Sequence, residues 1–385
     1  MVDISEREQE LPDVLIPELL AIAAERKDII SLGPGEPDFI TPKPILNYAS
    51  KIIDKSTHYS APAGKTELRE AIVKKLKKEN KIKANVENVV VGCGSQELLF
   101  SAFLSTLDVS EEVIVPNPGY LGYVPAIELV NAVPVYVKLE EDENFEINPD
   151  RIKEAVNKKR TKVILINTPG NPTGTVLNRK TLEEIADIAI ENDCYVFSDE
   201  AYERLIYGKK HISIGSLNGM ENHAVSFYTF SKTYAMAGFR VGYACGPKLL
   251  IDAIIKSKHY MSIAPPHLSQ MLAIKALTIS NSYINKMVKE YNRRRLYIVK
   301  RLNSMGLKTP MPYGAFYAFS NVKHLTSNTL EFARKLLREA KVAVVPGSDF
   351  GKYGEGYIRF SYATKMPSIE EGLNRIEHFF KKVYK

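Results

Sequence analysis

Polar residues that could do chemistry follow several apolar runs of this sequence. The clearest set follows three consecutive runs between positions 162 and 228: Asn171, Asp199, Tyr202, Lys232 and Arg240. A lysine amine can act as a nucleophile or base, a carboxylate pairs with a cationic group, and an arginine binds phosphate or carboxylate. Brought together, these groups would bind an anionic ligand and move a proton.

Each residue also has an ordinary structural explanation. An asparagine in a Pro- and Gly-rich turn serves the turn, and a buried aspartate is often half of a salt bridge. A lone lysine is usually solvated. The combination of residues, rather than any one of them, therefore carries the functional prediction.

The elements that would position these residues alternate between strand-like and helical patterns. Seven β-rich runs predict strands at 88–91, 112–115, 133–138, 162–167, 194–198, 224–228 and 241–246. Helical periodicity is clearest at 178–192, where Asn178 would cap the start. The pattern predicts an α/β fold: a seven-stranded, mostly parallel sheet sandwiched by helices. Ligands bind at the carboxyl ends of such strands, where the polar residues stand.

The last third of the chain has a different pattern. A long helical stretch begins near residue 281 and is followed by predicted strands at 315–319, 342–345 and 357–361 and helices at 329–340 and 368–383. We therefore predict a smaller α+β domain. In this division, residues 46–280 form the large domain, and residues 1–45 together with 281–385 form the small one.

Composition excludes several classes of protein. The 385 residues, 45% hydrophobic and 25% charged, suit a soluble globular protein of two to three domains at about 150 residues each. The net charge of +7 includes a lysine-rich stretch at 74–78, which we interpret as a solvated helix face rather than a nucleic-acid surface. No apolar run approaches the roughly 18 residues of a membrane span. We expect neither a nucleic-acid partner nor a membrane.

Cysteine and histidine usage points to the cytoplasm and to no metal. The three cysteines are far apart and stand in or beside apolar runs, which favours free thiols in a reducing compartment. The seven histidines show no metal-ligand spacing. No targeting segment is visible at the amino terminus.

A Gly-rich turn follows the first predicted strand, and it contains Gly94, Ser95 and Gln96. Its backbone N–H groups could hold a phosphate at a helix amino terminus. A nicotinamide-binding fingerprint would require glycine at Glu97, so an NAD-dependent dehydrogenase is a weaker alternative. A plain strand-to-helix turn without a ligand also remains open.

Taken together, a phosphate cradle, an aspartate at a strand end, an asparagine, a tyrosine and a lysine match the needs of pyridoxal phosphate. Their order and spacing resemble the class I/II aminotransferases of the aspartate aminotransferase fold, fold type I, over nearly the whole chain. The motifs that carry the resemblance are Asn-x-Pro-x-Asn-Pro-Thr-Gly from 167, Ser-Asp-Glu-x-Tyr from 198, and Ser-Lys from 231 with arginine eight residues after the lysine.

The resemblance implies a role for each matching residue. Lys232 would carry the cofactor as a Schiff base and then shuttle a proton. Asp199 would pair with the pyridine nitrogen, while Tyr202 and Asn171 would bind the phenolic oxygen. Tyr120 would stack on the ring. The phosphate would be held by Gly94, Ser95, Gln96, Thr229, Ser231 and Arg240.

The same resemblance assigns further residues to the binding of the substrate and to a neighbouring subunit. Arg359 matches the clamp for the α-carboxylate, and Gly35, in the 33–39 segment, would let backbone approach the substrate. Tyr59 matches the tyrosine that reaches the cofactor of a neighbouring subunit, which implies a homodimer. A segment around 15–24 would close over the substrate.

The expected substrate class follows from one position at which this sequence differs from the aspartate-specific members of the family. Aspartate-specific relatives commonly carry lysine where this chain has Ser95, and Tyr120, Tyr123 and Tyr260 could surround an apolar side chain. We therefore expect transfer from an aromatic or a broad range of L-amino acids to a 2-oxo acid, 2-oxoglutarate being the expected acceptor. An aspartate aminotransferase and a pyridoxal-phosphate-dependent lyase of the same fold are the alternatives.

Overall fold

A computed structural model describes residues 4–9, 11, 21–22 and 25–383. Its main feature is a seven-stranded sheet with spatial order β2-β8-β7-β6-β5-β3-β4. After a short first strand, β1 (Ile30–Ser31), the strands of this sheet are β2 (Val89–Gly92), β3 (Glu112–Asn117), β4 (Val133–Lys138), β5 (Thr161–Asn167), β6 (Tyr195–Asp199), β7 (Ala224–Thr229) and β8 (Gly242–Cys245). Six strands are parallel and β8 is reversed. The predicted fold class is confirmed.

The reversed strand completes the edge where the polar residues meet. In parallel strands the carboxyl ends share an edge, and the amino end of β8 lies there too, with Gly242 opposite both Thr229 and Gly92. Arg240 comes two residues before β8. The antiparallel strand therefore brings this arginine to the same edge as Asp199.

Helices cover both faces of the sheet because its strands are apolar on both sides. In β5, Ile164 and Ile166 pack against one group of helices, whereas Val163 and Leu165 pack against another. In chain order the helices are α1 (Glu6–Gln9), α2 (Lys43–Ile52), α3 (Thr66–Lys75), α4 (Ser95–Thr106), α5 (Tyr123–Glu128), α6 (Pro149–Ala155), α7 (Arg179–Glu191), α8 (Phe230–Thr233), α9 (Lys248–Ser262), α10 (His267–Ala276), α11 (Ser282–Ser304), α12 (Thr329–Lys335) and α13 (Met366–Val383).

The last third of the chain forms two small sheets. Their strands are β9 (Tyr317–Asn321), β10 (Val342–Ala343), β11 (Val345–Pro346) and β12 (Tyr357–Ser361). Strand β12 pairs with β11 and β9, whereas β10 pairs in parallel with β1. The β1–β10 pairing links residues near the start of the chain to its last third. The domain boundaries at 46 and 281 stay predictions.

Two elements of this region differ from the predicted ones. The predicted strand 342–345 is two strands, because Val342 pairs with β1 and Val345 pairs with β12. The predicted strand 315–319 begins later, at Tyr317. Ala315 has a positive φ of 56°, and its N–H bonds to Leu205 O at 2.9 Å, so it lies outside the ladder.

The surface agrees with most of the compositional expectations. Lys74, Lys77 and Lys78 are exposed. Lys75 is not, because its amine pairs with Glu203 and lies 4.7 Å from the centre of a tyrosine ring. All three cysteines are free. Within the described part of the chain, no helix has the length and apolar composition needed to cross a bilayer.

Asn178 caps helix α7, as the sequence predicts. Its side-chain oxygen accepts a hydrogen bond from the N–H of Thr181 at 3.1 Å. Because alanine cannot accept this bond, we expect Asn178→Ala to lower the free energy of unfolding by about 1 kcal/mol. Urea denaturation would measure the change. Asn178→Asp, which keeps the acceptor, should retain most of the stability, and an equal loss in both variants would contradict the capping role.

Candidate active site

One cavity of about 660 Å³ lies at the edge where the strand ends meet. Among the described residues, it is lined by every predicted site residue except Tyr59. The predicted residues in its wall are Gly35, Gly94, Ser95, Gln96, Tyr120, Asn171, Asp199, Tyr202, Thr229, Ser231, Lys232, Arg240 and Arg359. Residues from the large sheet, from the 33–39 segment and from β12 thus share a single space.

Lys232 lies in the short helix α8, directly after β7. Thr229 caps this helix by accepting a hydrogen bond from the N–H of Ser231 at 3.1 Å. The Lys232 ammonium donates to the carbonyl of Gly35 at 2.6 Å. The pKa of Lys232 is lowered to about 8, chiefly by burial, with Arg240 and Arg359 adding to this effect and Glu36 and Asp199 opposing it. The amine is therefore easier to deprotonate than that of an ordinary lysine.

This low pKa predicts a pH-dependent reactivity. The neutral amine is the nucleophile, and its fraction rises as the pH rises through the pKa. We expect an amine-reactive aldehyde to label Lys232 with a half-maximal rate near pH 8, whereas solvated lysines should require a higher pH. Peptide mapping after reductive labelling would measure both midpoints. A Lys232 midpoint equal to that of exposed Lys74 would contradict the prediction.

Asp199 ends β6 with its carboxylate facing the cavity. Tyr123 donates its hydroxyl to Asp199 Oδ2 at 2.7 Å, and the N–H of Ala201 bonds to Oδ1 at 3.1 Å. Burial raises the pKa of Asp199, and these two hydrogen bonds act in the opposite direction. The sequence led us to expect that Tyr123 surrounds a substrate side chain. Instead, Tyr123 is fully buried and holds Asp199.

The glycine-rich turn and Arg240 form the cationic end of the cavity. Gly94 has a φ of +92°, and a Cβ atom there would lie 2.7 Å from Arg240 Nη2, so the close approach of the guanidinium requires glycine. Helix α4 begins at Ser95, so its first N–H groups lack intrahelical partners. This end of the cavity can therefore bind an anion.

Glu97 explains why the turn departs from a nicotinamide fingerprint. Its carboxylate accepts a hydrogen bond from the N–H of Cys93 at 2.6 Å. A Cβ atom at Gly92 would lie 2.6 Å from the same carboxylate. Glu97, which stands where the fingerprint has its third glycine, thus stabilises the turn itself.

Arg359 lies at another wall of the cavity and is only 2% exposed. It donates to Asn171 Oδ1 at 3.0 Å and to Gly33 O at 2.8 Å. Its guanidinium lies between the rings of Tyr317 and Phe350, whose centres are 4.3 and 4.9 Å away. Its Nε atom is buried and has no hydrogen-bond partner among the residues that the structure describes. A buried guanidinium in this setting can bind a carboxylate.

Besides the buried Tyr123, two tyrosines named from the sequence lie outside the cavity. Tyr59 is 80% exposed and Tyr260 is 82% exposed. The prediction that Tyr260 lines the pocket is therefore wrong for the cavity of this single chain. The segment 15–24, apart from residues 21 and 22, lies outside the described residues.

Sequence reasoning missed several residues of the site. Asn167 accepts a hydrogen bond from the N–H of Asn171 at 2.7 Å and donates to Asp199 O at 3.0 Å. Its place as the first asparagine of the 167–174 motif was a usable signal. Tyr317 and Glu36 also line the cavity. Nothing in the local sequence separates Tyr317 from an ordinary strand residue.

The comparisons with known proteins agree with this geometry. Residues 27–376 match the family model for aminotransferase class I and II. The chain is 46% identical to an aspartate aminotransferase of Pyrococcus abyssi over 94% of both chains. It is 42% identical to aromatic-amino-acid aminotransferase 2 of Thermococcus litoralis over 95% of both.

A solved structure is also similar to this chain, in both sequence and fold. The crystal structure of an aromatic aminotransferase from Pyrococcus horikoshii is 43% identical and superposes with a TM-score of 0.90, covering 95% of this chain and 99% of that one. The match runs through both the large sheet and the last third of the chain. The chain with this lysine-containing cavity therefore belongs to the class I and II aminotransferases, of fold type I.

Proposed function

We propose that this aminotransferase binds pyridoxal phosphate at Lys232 and moves an amino group from an aromatic or a broad range of L-amino acids to 2-oxoglutarate. One observation carries the proposal: a single cavity holds Lys232, Asp199, Arg240 and Arg359. These four residues suit an amine-reactive aldehyde, a pyridine nitrogen, a phosphate and a carboxylate, respectively. When bound, pyridoxal phosphate supplies an electron sink for the bonds at the substrate Cα.

The residues at the cationic end fit the phosphate of this cofactor. Arg240 and the amino terminus of α4 both face the cavity there, and a side chain at Gly94 would fill the space. Thr229 and Ser231 add hydroxyl groups to the wall. Asp199 would hold the pyridine nitrogen, because a buried carboxylate favours a protonated partner. Tyr120 would lie against the ring.

Lys232 would move the proton of the reaction. Its Nζ atom, with a pKa of about 8, is partly neutral near neutral pH and can accept a proton. The short helix α8 and its Thr229 cap keep the side chain in the cavity. Arg359 would bind the α-carboxylate and so orient the substrate Cα toward this amine.

The lining of the cavity supports the substrate class. Its cationic side chains among the described residues are Lys232, Arg240 and Arg359, and each already has a role. Ser95 offers no further positive charge, and Leu99, Leu121 and Tyr120 provide apolar surface. The similar proteins include both an aspartate and an aromatic-amino-acid aminotransferase. Aspartate is therefore the second candidate donor.

We also propose a homodimer with shared sites. A tyrosine that reaches a neighbouring cavity must be exposed in the single chain, and Tyr59 is 80% exposed. Tyr260, Met261 and Ile263 form a further exposed apolar group at the end of α9. The free cysteines suit the reducing cytoplasm, where we place the protein.

The test is a substrate panel with the purified protein and pyridoxal phosphate. We expect phenylalanine, tyrosine or a broad set of donors to form more than one equivalent of 2-oxo acid per site only when 2-oxoglutarate is present. A higher kcat/KM for aspartate than for aromatic donors would favour the aspartate alternative. Release of ammonia or carbon dioxide without an acceptor would indicate a lyase. No change in the absorption spectrum of added pyridoxal phosphate would overturn the proposal.

A further inference from the structure

Tyr317 occupies a position where two parts of the site meet. It is the first residue of β9, is 1% exposed and lines the cavity. Strand β9 pairs with β12, which carries Arg359. The side chain therefore comes from the same small sheet as the guanidinium that binds carboxylate in the proposed function.

The ring and the hydroxyl of Tyr317 make different contacts. The ring centre lies 4.3 Å from the Arg359 guanidinium carbon, a cation–π distance. The hydroxyl lies 2.8 Å from the hydroxyl of Tyr202, in a contact in which either can donate. A Cβ atom at Gly35 would lie 3.2 Å from the same hydroxyl, so the 33–39 segment also packs closely here.

The hydroxyls of Tyr202 and Tyr317 form an isolated pair. Among the described residues, each has the other as its one hydrogen-bond partner, and either can donate. When a bound ligand presents an acceptor to Tyr202, the proton of Tyr202 can point to that acceptor. The Tyr317 hydroxyl then keeps its own proton paired by donating to the Tyr202 oxygen.

We propose that Tyr317 is a positioning residue with two separable functions: its hydroxyl aims the proton of Tyr202 at the cofactor's ring oxygen, and its ring holds the Arg359 guanidinium in place for the substrate carboxylate. This inference rests on the proposed function. It makes the hydroxyl necessary for the electronic state of the bound cofactor and the ring necessary for substrate affinity. One side chain would thus act on both the cofactor's ring oxygen and the substrate's carboxylate.

Tyr317→Phe tests the hydroxyl alone. Losing one hydrogen bond, worth about 1 kcal/mol, should weaken donation by Tyr202 and raise the pH midpoint of the visible absorption change of bound pyridoxal phosphate by about 0.5 to 1 unit. The KM for donor and acceptor should stay within about twofold. Tyr207→Phe is the matched control, because Tyr207 is a similarly buried tyrosine whose hydroxyl donates to Ala315 O at 2.6 Å outside the cavity. It should not move the midpoint.

Tyr317→Leu tests both functions. It lacks the hydroxyl and should shift the midpoint as Tyr317→Phe does, and it should also raise the KM of both substrates about tenfold through loss of the ring over Arg359. Adding Tyr317→Phe to Tyr202→Phe should shift the midpoint no further, because both act through one hydroxyl. If Tyr317→Leu does not fold, Tyr317→Phe still supplies the result for the hydroxyl.

The outcomes distinguish this inference from the proposed function. If the native protein gives no absorption band with pyridoxal phosphate, the proposed function fails. If the native band titrates normally but Tyr317→Phe leaves its midpoint unchanged, the positioning role of the hydroxyl is wrong. If Tyr317→Leu leaves both KM values unchanged, the role of the ring is wrong.

Discussion

Replacing Lys232 by alanine is expected to lower kcat by about 10⁴-fold or more, the largest loss from any single side chain of this site. Of the described residues that line the cavity, Lys232 is the one whose side chain can both bond covalently to an aldehyde and accept a proton near neutral pH. A positioned acid or base contributes about 10²–10⁴-fold by itself, and the covalent link adds to that. Steady-state rates with a donor found in the substrate panel would measure the loss.

Borohydride reduction provides the chemical test of the same residue. In the native protein loaded with pyridoxal phosphate, reduction should attach the cofactor to the peptide that contains Lys232. In Lys232→Ala no peptide should be labelled, although the phosphate end of the cavity remains intact. Lys248→Ala is the matched control, because Lys248 is exposed, lies outside the cavity and pairs with Asp252 on α9. Stable labelling of a different lysine in the native protein would contradict the assignment.

The central sheet could be predicted because its strands are short apolar runs between polar turns. The predicted strand 133–138 has the observed bounds, and the other six predicted strands lie within two residues of theirs. The reversal of β8 could not be predicted, because the alternation of strands and helices does not show direction. The division of 342–345 between two sheets depends on pairing with β1, more than 300 residues away in the chain.

The site could be predicted where its residues follow strands. Asp199 ends β6, and Asn171 and Lys232 stand just beyond β5 and β7, so a shared sheet edge brings the three together. Tyr123 and Tyr317 contact the site through side chains that come from α5 and β9. Their sequence neighbourhoods are those of ordinary buried tyrosines. Contacts of this kind depend on the packing of distant elements, which local patterns do not contain.

The neighbouring carboxylates Asp199 and Glu200 have different surroundings. Asp199, the last residue of β6, lines the cavity, whereas Glu200 follows the strand and does not line it. Glu200 is fully buried, and His211 and three serine hydroxyls bond to its carboxylate. Burial alone would raise the pKa of Glu200, but these partners outweigh it, and the pKa lies below its ordinary value. In the sequence only the family resemblance separates the two residues, whereas in the structure their surroundings do.

Replacing Arg359 by lysine is expected to lower kcat/KM about 100-fold for both the amino acid and the 2-oxo acid. The planar guanidinium can bind a carboxylate with two parallel hydrogen bonds, and it is already oriented by Asn171, by Gly33 and by the rings on both sides. Lysine keeps the charge but loses the paired geometry, which costs about 3 kcal/mol of binding free energy. Absorption of bound pyridoxal phosphate should be unchanged, since the phosphate site that we propose at Arg240 does not include Arg359.

A substrate without a carboxylate separates this role from a general loss of structure. An amine with the same side chain as the preferred donor makes no contact with the α-carboxylate clamp, so native protein and Arg359→Lys should convert it at similar, low rates. The ratio of kcat/KM for amino acid over amine should therefore fall about 100-fold in the variant. If the variant lost the same factor on both substrates, Arg359 would be a structural residue of β12, and the carboxylate would have to bind elsewhere in the cavity.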